Sequence, residues 1–222
     1  MLSLRSVLSR EDLALINARL DAAAWVDGRE TAFGATRKIK RNLQLAAEDP
    51  LAAELGGRVR AALLGSDLFR SAAFPDRIAP VRFAAYQPGM TYGWHADLAH
   101  MRYGEQVLRS DVACTVFLSA PESYQGGELA VRTPLGELRV KLPAGDAVVY
   151  PATTMHRVEP VTSGTRRVAI TWIQSLITTA EHRELLFEMR QAIARLRERD
   201  PENEDLIRLN VVYQNFARLL SG

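Results

Sequence analysis

The tripeptide His95-Ala96-Asp97 sets an imidazole and a carboxylate two positions apart. On a β-strand, residues i and i+2 project to the same face, so the two would point together with Ala96 turned away. A third candidate ligand, His156, stands 61 residues beyond His95 in another stretch that reads as strand. Two imidazoles and one carboxylate on one face of a metal, with open positions opposite, form the facial triad of non-haem Fe(II) oxygenases. The tripeptide alone is a weak signal, because chains of this length produce it by chance. The two remaining histidines, His100 and His182, read as loop and helix residues without a ligand role.

Arg166 adds a second piece of chemistry. The final β-like run has one phase of Arg166, Val168, Ile170 and Trp172, and another of Arg167, Ala169, Thr171 and Ile173. Arg166 shares the bulkier apolar phase, which should face inward. A guanidinium in a core is unfavourable unless an anion answers it with paired hydrogen bonds. Two answers are open: an acidic residue on another strand, such as Asp111 or Asp146, or an acidic small molecule held bidentately.

These residues need elements to carry them. From residue 78 onward short β-favouring runs follow one another at residues 81–86, 112–118, 128–132, 137–141, 146–150, 156–161 and 166–174. Gly126-Gly127, Pro134-Leu135-Gly136, Pro143-Ala144-Gly145 and Gly164 mark the turns between them. This spacing predicts a mainly β fold with flanking helices, a jelly-roll or double-stranded β-helix, in which strands far apart in sequence meet. Before it, Ser9-Arg10-Glu11-Asp12 resembles a capping box that opens a helix to about Ala24, ended by Gly28. Residues 31–45 are poorly patterned, although Lys40, Asn42 and Gln44 alternate as a strand would. Pro50 opens a second helix with Leu51, Leu55, Val59 and Leu63 as its stripe. After Ile177, Leu185, Met189, Ile193 and Leu196, then Leu206, Leu209, Tyr213, Phe216 and Leu220, predict a helical hairpin broken at Asp200-Pro201. The expected division is residues 1–177 for the jelly-roll with its N-terminal helices and 178–222 for the helical extension.

Composition narrows the function classes. At 222 residues, with 47% apolar and 24% charged residues, the chain has ordinary globular usage. A net charge of +2 argues against a nucleic-acid binder. The basic run Arg37-Lys38-Ile39-Lys40-Arg41 is either a solvated edge or a steering patch. Cys114 is the only cysteine, which excludes an internal disulfide and suits a reducing cytoplasm. No signal-peptide core and no apolar run of membrane-spanning length are present, so neither secretion nor a membrane partner is expected.

Several separated segments carry a family resemblance. They are the stretch from Arg82 to Asp97, Tyr124-Gln125-Gly126-Gly127-Glu128-Leu129, Leu142-Pro143-Ala144-Gly145-Asp146, His156-Arg157-Val158, Pro160-Val161 with Gly164-Thr165-Arg166, and Trp172-Ile173-Gln174-Ser175. In this order they resemble the PKHD-type hydroxylases, a bacterial branch of the Fe(II)- and 2-oxoglutarate-dependent dioxygenases related to prolyl and lysyl hydroxylases. The likeness covers nearly the whole chain and departs from the family pattern at Arg41 and Leu43.

The resemblance implies that His95, Asp97 and His156 bind Fe(II) and that Arg166 holds the distal carboxylate of 2-oxoglutarate. Tyr86 would hydrogen-bond that cosubstrate from the far side of the site, or else be a core tyrosine. Tyr92 and Trp94 either line the substrate opening or pack as aromatics. The implied reaction couples O2-driven decarboxylation of 2-oxoglutarate to succinate with hydroxylation of an unidentified substrate, a peptidyl or free amino acid or another small molecule. L-ascorbate would serve as reductant. The hairpin would support a homodimer or cap the barrel. The competing reading is a non-catalytic jelly-roll that senses a metal or 2-oxo acid. A cupin-type site, which generally uses three histidines, fits less well.

Overall fold

Helix starts follow the local signals. The computed structural model describes residues 1–32 and 34–221. Ser9 caps the helix Arg10–Asp21, its hydroxyl accepting from the Asp12 N–H. Asp49 caps the helix Pro50–Gly65, with proline at its tolerated first position. The first helix stops at Asp21, before Ala24, and Trp25–Asp27 is a strand rather than a helix exit. Residues 66–78, unassigned from sequence, form the short helix Asp67–Ala73, capped by the Ser66 hydroxyl, and the strand Pro75–Ile78.

The β-rich part is a double-stranded β-helix of two facing antiparallel sheets. The larger orders Leu2–Leu4, Ala147–Pro151, Val112–Phe117, Arg166–Ser175, Arg82–Tyr86, Leu43–Leu45 and Trp25–Asp27, with Pro75–Ile78 also pairing the long final strand. The smaller orders Gly136–Val140, Leu129–Thr133, His156–Val158, Thr91–His95 and Lys40–Arg41. Between the sheets lie Tyr86, Phe117, Val131, Tyr150, Val168 and Trp172. The larger sheet's other face, with Phe83, Cys114, Val116 and Ile173, packs against Ile16, Leu20, Leu55, Val59 and Leu63 of the N-terminal helices. Covering on both faces explains why Val112–Phe117 is buried at every position and reads as an unbroken apolar run.

Two departures from the sequence expectation shape the site. The run at residues 156–161 is two strands, His156–Val158 and Val161–Gly164, because Pro160 cannot donate to a ladder and the chain leaves for a separate pairing with Tyr124–Gly126. The region expected as a loop around His100 is a hairpin, His100–Tyr103 with Gln106–Arg109. Residues 40–45 prove to be sheet as well. The chain leaves the smaller sheet after Arg41, crosses at Asn42, and joins the larger one at Leu43.

The C-terminal helices Ala180–Arg199 and Asp205–Leu220 form the expected hairpin around Ile177, Leu186, Ile193, Leu206 and Tyr213. Leu185 and Phe216, placed on its stripes from sequence, are exposed, and Leu186 and Ala217 pack inward instead. Arg183 anchors the hairpin, donating to the carbonyls of Ile177 (2.7 Å), Thr178 (2.9 Å) and Asp111 (3.3 Å). The Asp111 carbonyl also accepts from the Ala152 N–H (3.1 Å), and the Ala152 carbonyl accepts from the Asp97 N–H (3.3 Å). No helix among the described residues is long and apolar enough to cross a membrane.

Candidate active site

His95, Asp97 and His156 come together: one potential ligand atom from each lies within 4.8 Å of the others. His156 Nε2 is 3.9 Å from Asp97 Oδ1, and the two imidazole centroids are 4.3 Å apart. Their cross-strand register is direct, His156 opposite His95. Each Nδ1 sits against a backbone carbonyl, His95 on Gly93 (2.8 Å) and His156 on Thr154 (2.9 Å). A carbonyl only accepts, so Nδ1 carries the proton and Nε2 is the nitrogen left to ligate. Burial, then the neighbouring His156, lowers the His95 pKa to about 4, which keeps the ring neutral as metal binding requires. Burial pushes the Asp97 carboxyl upward, against the pull of His156, Trp172 and Arg82, so this carboxylate favours a nearby cation.

The strand does not continue through Asp97 as expected. It ends at His95, and Asp97 is placed by the loop that follows, through its N–H to Ala152. A further irregularity precedes it. Tyr92 pairs with Val158 and His95 with His156, so three steps on one strand match two on the other. This bulge inserts an extra residue at Gly93 and Trp94 and changes the strand's phase. Tyr92 and His95 therefore share the inner face, their rings stacked at 3.6 Å. Gly93 is required by close approach: a Cβ there would lie 2.9 Å from the Cβ of Ile39.

The same bulge corrects the expectation for Trp94. Tyr92 lines the cavity, but Trp94 does not. Trp94 is held on the outer face between the guanidinium groups of Arg132 (4.8 Å) and Arg157 (4.5 Å). We expect Trp94→Ala to lower stability by about 1–2 kcal/mol through loss of two cation–π contacts, seen as a fall in Tm. Its KM for 2-oxoglutarate should stay within about twofold; a tenfold rise would return Trp94 to the pocket.

Arg166 is 1% exposed, and its Nε and Nη1 have no hydrogen-bond partner. Its guanidinium lies 5.2 Å from the Tyr86 ring centroid and 5.5 Å from that of Phe117. The two acidic residues that could have paired with it are engaged elsewhere. Asp111 takes Arg109 and the Ser175 N–H, and Asp146 takes the Ser6 N–H. Gly127, at φ +69°, leaves room for the arginine arm, since a Cβ there would sit 3.1 Å from Arg166 Cδ. Tyr86 is not across the site from Arg166 but directly beside it in register on the neighbouring strand. Its phenol is buried beside Asn42, and burial raises its pKa, so it is a neutral donor.

Triad, Arg166 and Tyr86 all line one cavity of about 450 Å³. Its wall also includes Lys40, Asn42, Gln44, Arg82, Tyr150 and Trp172, none assigned to the site from sequence. The available signal was the polar alternation of Lys40, Asn42 and Gln44, all three of which are buried. Within the basic run, Arg37, Lys38 and Arg41 are solvated, and Lys40 alone turns inward.

Residues 81–174 match the 2OG-Fe(II) oxygenase superfamily, and residues 181–221 match the PKHD-type hydroxylase C-terminal domain. A PKHD-type hydroxylase of Stenotrophomonas maltophilia (strain R551-3) is 46% identical over 220 residues, covering 98% of this chain and 97% of its own. Among solved structures, a Pseudomonas putida prolyl-4-hydroxylase superposes with TM-score 0.53 at 21% identity, covering 78% of this chain and 91% of its own. HygX from Streptomyces hygroscopicus, with nickel and 2-oxoglutarate bound, gives TM-score 0.54 at 17% identity, covering 80% and 84%. With near-complete coverage at that level of identity and a His-Asp-His cluster in the shared fold, the chain belongs to the PKHD-type hydroxylases, Fe(II)- and 2-oxoglutarate-dependent oxygenases.

Proposed function

We propose that His95, Asp97 and His156 hold the Fe(II) ion of this hydroxylase and that Arg166 grips the distal carboxylate of 2-oxoglutarate. The observation that carries the reading is the buried guanidinium with unanswered donors, opening on the same cavity as the triad. The donor set suits Fe(II): two neutral imidazoles and one carboxylate, with no fourth His, Cys, Asp or Glu in the cluster among the described residues. Bound there, the metal with 2-oxoglutarate and O2 supplies the oxidising power that places a hydroxyl on a C–H bond and leaves succinate and CO2.

The chain's own residues supply position and a dry site. The Gly93 and Thr154 carbonyls fix the two imidazole tautomers. Tyr92 stacks on His95, and Tyr150 meets His156 edge-on at 5.2 Å, which keeps both ligand rings from rotating. Arg166 and the adjacent Tyr86 phenol present donors to one end of 2-oxoglutarate and so orient its other end toward the triad. Residues 1–177 form the dioxygenase unit in this reading, and residues 178–222 brace it.

The test is chelation and reconstitution. Succinate formation by the purified protein should vanish after metal removal, return with Fe(II), and consume O2 in step with 2-oxoglutarate. Undiminished turnover in the metal-free protein would remove the reading.

A further inference from the structure

Besides Arg166, two cations of the cavity wall that are turned away from open solvent, Lys40 and Arg82, make no ion pair among the described residues. Lys40 is 5% exposed, and its Nζ donates to the Thr31 hydroxyl at 2.9 Å. That hydroxyl donates in turn to Gln44 Oε1 at 2.7 Å, so among the described residues the hydrogen bond of the lysine goes to a neutral group. Arg82 lies half-buried, its guanidinium 5.3 Å from the Trp172 ring centroid and beside the Tyr103 hydroxyl. Among the described residues, no carboxylate stands within ion-pair distance of either cation. Glu30 is on the cavity wall but is exposed.

Both cations lie close to the triad. Lys40 lies 5.4 Å from the Tyr92 ring, which itself stacks on His95. Arg82 is close enough to Asp97 to favour its charged form. Burial first and Arg82 next bring the Lys40 pKa down to about 8, against a smaller opposing pull from Asp27. Burying a cation beside a like charge is unfavourable unless an anion arrives to answer both. Asp97 is committed to the metal, and the distal carboxylate of 2-oxoglutarate to Arg166. Neither is left to neutralise Lys40 and Arg82.

We infer that Lys40 and Arg82 form the recognition site for a carboxylate on the substrate to be hydroxylated, so that the enzyme acts on an acidic small molecule or on the C-terminal end of a short peptide. This rests on the Fe(II)/2-oxoglutarate reading above and names the substrate class for the same site. The cavity size fits such a ligand beside the cosubstrate, falling in the usual range of about 300–1,000 Å³ for small-molecule sites. Both cations stand on strands, Lys40 at the smaller sheet's edge and Arg82 on the larger sheet opposite Ile170. The pair is therefore carried on both sheets. A carboxylate held there would bring the carbons next to it into the cavity that the triad lines.

The experiment uses the Fe(II)-loaded full chain with saturating 2-oxoglutarate. N-acetyl amino acids and short peptides are each offered with a free C-terminal carboxylate and as the C-terminal amide, reading stimulated succinate formation and the oxygen-atom mass gain in the probe. Free acids should stimulate, and their amides should do so at least tenfold less. Comparing acetyl amino acids with peptides distinguishes the two sources of the carboxylate. For the best acid, Lys40→Met and Arg82→Met should each raise its KM at least tenfold, with a smaller change in the KM for 2-oxoglutarate, and Arg82→Lys should recover part of the loss. In the anaerobic loaded enzyme, that acid should raise Tm where its amide does not. Equal stimulation by acid and amide, a panel in which no acid stimulates, or a loss confined to 2-oxoglutarate would each overturn the assignment. Succinate formed without acid discrimination removes this assignment alone, whereas no succinate under any condition removes the underlying activity as well.

Discussion

Asp97→Ala, and separately His156→Ala, should abolish 2-oxoglutarate-dependent succinate formation while leaving the fold intact. Replacing partners one shell out from a metal typically costs about 10–100-fold in affinity or activity, so loss of a ligand itself should exceed about a hundredfold. The two variants differ in a useful way. Asp97 contributes the only negative charge of the cluster, so its removal should weaken Fe(II) binding the more strongly of the two. In metal-free protein the same substitution removes a buried carboxyl that burial already disfavours in its charged form, so Tm without metal should hold or rise. Metal titration, circular dichroism and succinate assay on the same preparations separate these effects. Full turnover by either variant would rule out its assignment as a ligand.

Arg166→Met should raise the KM for 2-oxoglutarate by about ten- to a hundredfold, the equivalent of about 1.5–3 kcal/mol for a hydrogen-bonded charged group. The stability effect should run the opposite way. In the absence of cosubstrate the guanidinium is buried with Nε and Nη1 unanswered, so an apolar side chain of similar length should leave Tm unchanged or higher. Added 2-oxoglutarate should raise Tm of the metal-loaded parent, because a ligand that binds only the folded state stabilises it. The same addition should move the variant far less. Thermal melts with and without 2-oxoglutarate, beside the kinetic measurement, test both signs. An unchanged cosubstrate KM would remove Arg166 from the site.

Much of this was legible in the chain because it depends on period. Arg166 shares an apolar phase with Val168 and Trp172, and two-residue alternation carried that inference through to a buried guanidinium. Separated β-runs with glycine and proline between them were enough for the sandwich. What failed were the places where period breaks. The bulge at Gly93 and Trp94 turns Tyr92 inward and Trp94 outward, and no single-strand count can show an inserted residue whose evidence is in the partner strand. Tyr86 and Arg166 fell side by side because register is set by pairing across strands, not by the position of either in its own. Lys40 was hidden in a basic run whose other charges are solvated. A single inward lysine in such company is visible only once the strand that carries it has been placed at a sheet edge.

The way the helical hairpin is fastened bears on how this enzyme tolerates being shortened. Ile177, the residue at which the final strand gives way to the tail, belongs to the tail's own apolar cluster and is fully buried there. From Arg183 a ladder of main-chain carbonyls and amides passes through Asp111 and Ala152 to the peptide group of Asp97. Trimming at that junction would bare Ile177 to water and loosen the far end of a tether whose near end is the peptide group of Asp97. What looks in the sequence like a dispensable appendix is tied by hydrogen bonds to the loop that carries Asp97.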